Sequence, residues 1–159
     1  SDIQVLKDML ARYGAGMMSV CVGANFIYPD ALEDEMFHME TVAALAEQVG
    51  VSYVAFCGGA IRGKGVQTGD YALLAKGLKE AEKVFAAHGI EASYHPHLGS
   101  MAEKPEQIDR LFSVSDIKIC PDLAHLAAGG GDPLEIVKKY SPLTQTGRRR
   151  RRKFFLPCF

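Results

Sequence analysis

Residues 70–97 read DYALLAKGLKEAEKVFAAHGIEASYHPH, and the fold turns on how this stretch is divided. Tyr71, Leu74, Ala75, Leu78, Ala81 and Phe85 recur at helical spacing, so the first part predicts a long amphipathic helix with one buried face. Asp70 reads as its cap and Gly89 as its stop. The short apolar run that follows, continuing IEASYHPH, predicts a strand ending in His95-Pro96-His97. A helix that hands over to a strand, with polar residues at the strand's end, is the unit from which the rest of the chain can be read.

The unit recurs in both directions. Upstream, Asp2 to about Tyr13 reads as a helix stopped by Gly14. MMSVCVGANFI (17–27) reads as a strand, EDEMFHMETVAALAEQVG (33–50) as a helix and VSYVAFCGG (51–59) as a second strand. Downstream, Pro105 opens the helix PEQIDRLFSV, IKICPDLAHL (117–126) reads as a fourth strand, and Asp132-Pro133-Leu134-Glu135 carries a cap, a first-turn proline and a glutamate that announce the helix PLEIVKKY. An opening helix followed by alternating strands and helices predicts an α/β fold with about four parallel strands joined by crossover helices. The strands look apolar on both faces, as in sheets covered on both sides.

The chain has 159 residues, 48% apolar and 23% charged, the profile of one soluble globular domain. No apolar run approaches the ~20 residues of a membrane span. No basic-then-apolar leader opens the chain, which sets the expectation of a cytoplasmic protein. Cys21, Cys57, Cys120 and Cys158 form no C-x-x-C pair, so reduced thiols are expected. The net charge of −1 hides an asymmetry: residues 148–153, RRRRRK, hold six of the 18 basic residues and follow every acidic one. The acidic body, residues 1–147, argues against a nucleic-acid surface on the fold itself. The segment 148–159, RRRRRKFFLPCF, admits three readings: a polybasic contact for anionic lipid or nucleic acid, an apolar interface, or an out-of-frame end with no role.

Asn25, Cys57-Gly58-Gly59, His95 with His97, and Asp122 with His125 all follow strands. In a parallel sheet those ends share one edge, where barrels and open α/β sheets carry their chemistry. Imidazole nitrogen and carboxylate oxygen together suit Zn, Mn, Fe or Co. In an extended His95-Pro96-His97 the two rings leave on the same side, and Pro96 stiffens their presentation. The plainer alternatives stay open. Either histidine serves equally as a hydrogen-bond partner for a neighbouring loop, and Asp122 as an acceptor for backbone N–H groups in the next turn. His38 reads as a surface residue, and His88, before a helix-stopping glycine, as one that favours the helix dipole. The run GGAIRGKG (58–65) matches neither phosphate-binding glycine pattern and reads as a flexible loop whose Arg62 or Lys64 meets an anionic substrate. There is no G-x-S-x-G elbow, and Cys57 has no neighbouring base.

YHPHLGS (94–100), EQIDRLF (106–112) and KICPDLAHLAAGGGDPLEIVKKY (118–140) together resemble the xylose-isomerase-like TIM-barrel superfamily of sugar phosphate isomerases and epimerases, with the inosose dehydratase-like branch the nearest. The resemblance covers roughly residues 40–140 and implies about the middle half of an eight-stranded (β/α) barrel. It implies a divalent metal (Mn, Co, Zn or Mg) with His95 and Asp122 as ligands. It puts His125 against a substrate oxygen and His97 in the same cluster. The implied activity is that of an isomerase, epimerase or dehydratase (a lyase) that moves protons beside the carbonyl of a keto-sugar or cyclitol, with His95 and His125 as catalytic residues. The run that would follow Tyr140 and supply a third ligand is replaced by the basic tail. A half-barrel with open edges implies completion by self-association as a homodimer or higher oligomer. The alternatives are a non-catalytic half-barrel that dimerises, or a hydrolase on an exposed cleft.

Overall fold

The computed structural model describes residues 2–143; the boundary at 147 and the tail fall outside them. The order of elements is α1 (Asp2–Arg12), β1 (Ser19–Ala24), α2 (Leu32–Gln48), β2 (Tyr53–Gly58), α3 (Asp70–Ala87), β3 (Glu91–Tyr94), α4 (Pro105–Phe112), β4 (Lys118–Ile119), α5 (Leu123–Ala128) and α6 (Pro133–Tyr140), then a short 3-10 turn at Ser141–Leu143. The four strands form one parallel sheet in the order β1-β2-β3-β4. Among the described residues the sheet does not close, so their architecture is a partial (β/α) barrel.

Parallel register sorts the side chains into two faces, because partners across a ladder point the same way. Val22, Phe56, Tyr94 and Ile119 line up on one face. All four are buried, and they pack with Met39 and Ala43 of α2, Leu74, Leu78 and Phe85 of α3, and Ile108 and Leu111 of α4. The edge-to-face contact of Phe56 with Phe85, at 5.4 Å between centroids, ties β2 to α3. The other face carries the rank Cys21, Ala55, Ser93 and Lys118. Lys118 there pairs with Glu91. The expectation of strands apolar on both faces therefore fails: the second face is small and polar, and the core lies wholly between the sheet and its helices.

Two local readings also change. Asp70 is the first residue of α3, and Gly69, at φ 91°, stands before it as the cap; the carboxylate folds back onto Gln67 N at 2.7 Å and onto Arg62. The fourth strand is two residues long. Cys120 N still donates to Tyr94 O at 2.7 Å, but Pro121 has no N–H to continue the ladder. The chain then turns at Asp122 into α5, so DLAHL is a cap and a helix and not strand. Gly129 and Gly130 close α5. A Cβ at Gly129 would stand 2.5 Å from Glu103 O, so the glycine permits the close passage that lets α6 begin.

Candidate active site at the carboxyl ends of the strands

Three imidazoles meet at this edge. His95 leaves the end of β3 and is 2% exposed. Its Nδ1 lies 3.2 Å from the Cys120 carbonyl oxygen. A carbonyl only accepts, so Nδ1 carries the proton and Nε2 the lone pair. His97 is fixed in the same way, Nδ1 donating to Leu98 O at 2.7 Å. His125, from the first turn of α5, completes the group: its ring centroid is 4.4 Å from that of His97 and 5.2 Å from that of His95. One nitrogen from each of the three lies within 4.8 Å of the others. Among the described residues, His125 Nδ1 is the buried side-chain nitrogen left without a hydrogen-bond partner.

Asp122 stands beside this trio. Its Oδ1 accepts from Ala124 N at 2.8 Å and His125 N at 3.1 Å, capping α5. Its Oδ2 is 3.8 Å from His125 Nδ1. Burial pushes its carboxyl up, but the N–H groups of His125 and Ala124 and the nearby imidazoles outweigh this and hold it below the usual carboxylate range. Asp122 is therefore an acceptor of backbone hydrogen bonds that also faces His125. The side chains whose ligand atoms lie within 4.8 Å of one another are His95, His97 and His125, with Asp122 beside them against His125.

The set fits a divalent ion. Two of the three rings are oriented by carbonyls behind them, as is usual for imidazole ligands, and the third has a buried nitrogen with no hydrogen bond. Three imidazoles also leave a coordination position open for an exchangeable group, and one of them, His97, lines a neighbouring cleft. That cleft, of about 430 Å³, is lined by Asn25 after β1, Cys57, Gly58 and Gly59 at the end of β2, and His97 with Ser100 after β3. The volume falls in the range of small-molecule sites.

Arg62 and Lys64 do not line the cleft. The Arg62 guanidinium bonds Asp70 at 3.1 and 3.2 Å, donates to Ile27 O at 2.8 Å and lies 4.8 Å over the Tyr28 ring. Its hydrogen bond to Asp70 raises its pKa and lowers that of Asp70. Lys64 is exposed. His38 is exposed, and His88 joins Glu47 and Glu40.

One group the sequence did not reveal is Glu35 of α2. Its two carboxylate oxygens accept from Asn25 N at 2.8 Å and Phe26 N at 2.9 Å. Phe26, at φ 60°, is the non-glycine residue in the left-handed region among those described. The clamp holds that turn and presents Asn25 at the cleft while Phe26 enters the core. The acidic start of α2 was legible, but nothing in the spacing says which carboxylate reaches back.

A family model described as "Xylose isomerase-like TIM barrel" matches residues 1–150. An inosose dehydratase of Geobacillus kaustophilus is 28% identical over 160 residues, covering 91% of this chain and 52% of that protein. The chain thus spans about half the length of this relative. A sugar phosphate isomerase/epimerase from Parabacteroides distasonis superposes with a TM-score of 0.75 at 17% identity, over 93% of this chain and 66% of that one. The structure of an IolI protein with a binding zinc atom superposes with 0.65 at 18% identity, over 84% and 51%. With four parallel strands, helices on one face and a polar rim already in place, the chain belongs to the xylose isomerase-like TIM-barrel family.

Proposed function

We propose that this chain contributes the metal-holding and substrate-orienting half of an isomerase, epimerase or dehydratase site for a keto-sugar or cyclitol. The observation that carries the reading is the convergence of His95, His97 and His125, with a buried His125 nitrogen that makes no hydrogen bond. In the relatives' names it meets inosose dehydratase activity and a bound zinc.

The three imidazoles would hold the ion. A bound divalent cation supplies Lewis acidity at a carbonyl oxygen, which lowers the barrier to removing a proton from the adjacent carbon. The cleft wall does the rest of what this chain offers. Asn25, held by the Glu35 clamp, and the side-chain-free positions Gly58 and Gly59 line the space where hydroxyl groups would lie. Asp122 remains a carboxylate at neutral pH and places negative charge beside His125, which supports a cation held by the three imidazoles. Arg62 is left out of this role because its guanidinium is bound to Asp70 and Ile27.

The test is metal binding and turnover measured on the same preparations. Calorimetric titration with Zn²⁺ and Mn²⁺, backed by metal analysis after dialysis, is expected to give one site per chain, lost in His95→Ala and His97→Ala. Turnover of inososes or ketohexoses is expected to disappear with chelator and in His125→Gln. Wild-type protein that binds neither ion would remove the metal mechanism. Binding without turnover would leave a half-barrel that holds metal without catalysing the reaction.

A further inference from the structure

Cys21 in β1 and Cys57 in β2 are 36 residues apart in sequence, and their Sγ atoms are 3.0 Å apart, closer than an ordinary non-bonded contact between sulfurs. The register explains how. Cys21 is opposite Ala55, and Gly23 is opposite Cys57, so the thiols occupy one diagonal of a four-residue patch on the sheet face away from the helices. The other diagonal, Gly23 and Ala55, holds the two smallest side chains, and nothing on it stands between the sulfurs. The strands are also close together at this end: a Cβ at Gly58 would lie 2.4 Å from Ala24 O. Cys21 is exposed, and Cys57, half-buried, lines the cleft.

We propose that Cys21 and Cys57 form an oxidation site that closes reversibly to an intramolecular disulfide with a hydroperoxide-class oxidant. The exposed Cys21 thiolate attacks a peroxide oxygen. The O–O bond breaks, one oxygen leaves as water, and Cys21 becomes a sulfenic acid. The Cys57 thiolate then attacks the Cys21 sulfur, the S–O bond breaks, and the second oxygen leaves as water with the remaining proton. Two thiols lose two electrons and hydrogen peroxide gains them. Reduction by a dithiol runs through a mixed disulfide and restores both thiols. A diagonal pair on a parallel ladder spans more backbone than a facing pair, so the bond forms with strain and is readily reduced. Its closure ties β1 to β2 on the floor of the cleft and takes the Cys57 thiol out of the cleft wall. The proposal does not depend on the metal or the reaction assigned to the site.

The experiment treats the reduced chain with hydrogen peroxide, quenches it, and combines thiol counting in denaturant with intact mass and non-reducing peptide mapping. Of the four thiols, two are expected to disappear with a loss of about 2 Da, a Cys21–Cys57 cross-linked peptide and no covalent dimer; dithiothreitol restores all four. Cys120→Ser and Cys158→Ser are expected to leave the result unchanged, while Cys21→Ser and Cys57→Ser abolish the cross-link. A linkage through Cys120 or Cys158, a mass gain of oxygen without a cross-link, a covalent dimer, or four thiols surviving an excess of peroxide would each overturn the proposal. The wild-type peptide map decides even if a serine variant folds poorly.

Discussion

Asp122 has two jobs, and chemistry can separate them. As a cap it satisfies two backbone N–H groups of α5; as an anion it faces His125 at 3.8 Å. Asparagine caps about as well as aspartate but carries no charge. Asp122→Asn is therefore expected to keep unfolding stability within about 0.5 kcal/mol, and Asp122→Ala to lose about 1 kcal/mol. Both are expected to weaken Zn²⁺ binding by about 10-fold or more, because each removes a negative charge next to the imidazole that would hold the ion. Urea unfolding and metal titration on the same samples check the two halves. An Asp122→Asn protein with unchanged affinity would leave the residue as a cap only. At this scale the sequence was partly legible. That His95 and His97 follow a strand was legible from alternation alone, whereas His125, in a run read as strand, lies in α5. The engagement of Arg62 with Asp70 was not legible, because a loop arginine near a glycine-rich turn has the same local sequence whether it turns outward to an anion or inward to a carboxylate eight residues on.

Among the elements, α2 and α3 are joined at their ends by one imidazole. His88 caps α3, and its Nδ1 and Nε2 lie 2.7 Å from Glu47 and 2.9 Å from Glu40 of α2. Hydrogen bonds to Glu47 and then Glu40 raise its pKa above the ordinary 6.5. A raised folded-state pKa means that protonation favours the folded state. The contribution is complete below pH 6.5 and is lost as pH rises through the higher folded value. The urea midpoint of the wild type minus that of His88→Gln is therefore expected to be positive at pH 6 and to decline toward zero on the alkaline side. A flat difference would mean that the clasp contributes nothing through charge. The dipole reading of His88 captured its position at the helix end and missed its partners, which lie 41 and 48 residues away. Helix α3 was legible because its apolar period is long and sustained, and Leu74, Leu78, Ala81 and Phe85 are all buried. Helix α5 was not, because a six-residue apolar run carries no period long enough to distinguish helix from strand.

For the whole molecule, the unclosed sheet sets the physics. Among the described residues, strands β1 and β4 leave edges with backbone groups that no neighbouring strand of the sheet takes up, and such edges favour pairing. The opening helix α1 has no buried residue, and Val5 and Met9 are 60% and 54% exposed on it. The face opposite the helices, bearing Cys21, Ser93 and the Glu91–Lys118 pair, is poorly suited to a dry sheet-on-sheet core. Edge pairing is therefore favoured over face stacking as the way two copies would meet in the proposed assembly. That choice has a consequence. A lysine on the edge strand opposes edge pairing through charge and desolvation, whereas the same change on β2 or β3 leaves the edges intact. Ser19→Lys, at the start of β1, is expected to weaken self-association by roughly tenfold, or about 1.4 kcal/mol, in sedimentation equilibrium, with unchanged circular dichroism. Lysine at Ser52, just before β2, serves as the control and is expected to leave association as it is. Wild-type protein that stays monomeric across the accessible concentration range would defeat the assembly outright. Equal weakening by both lysines would move the interface off the edge.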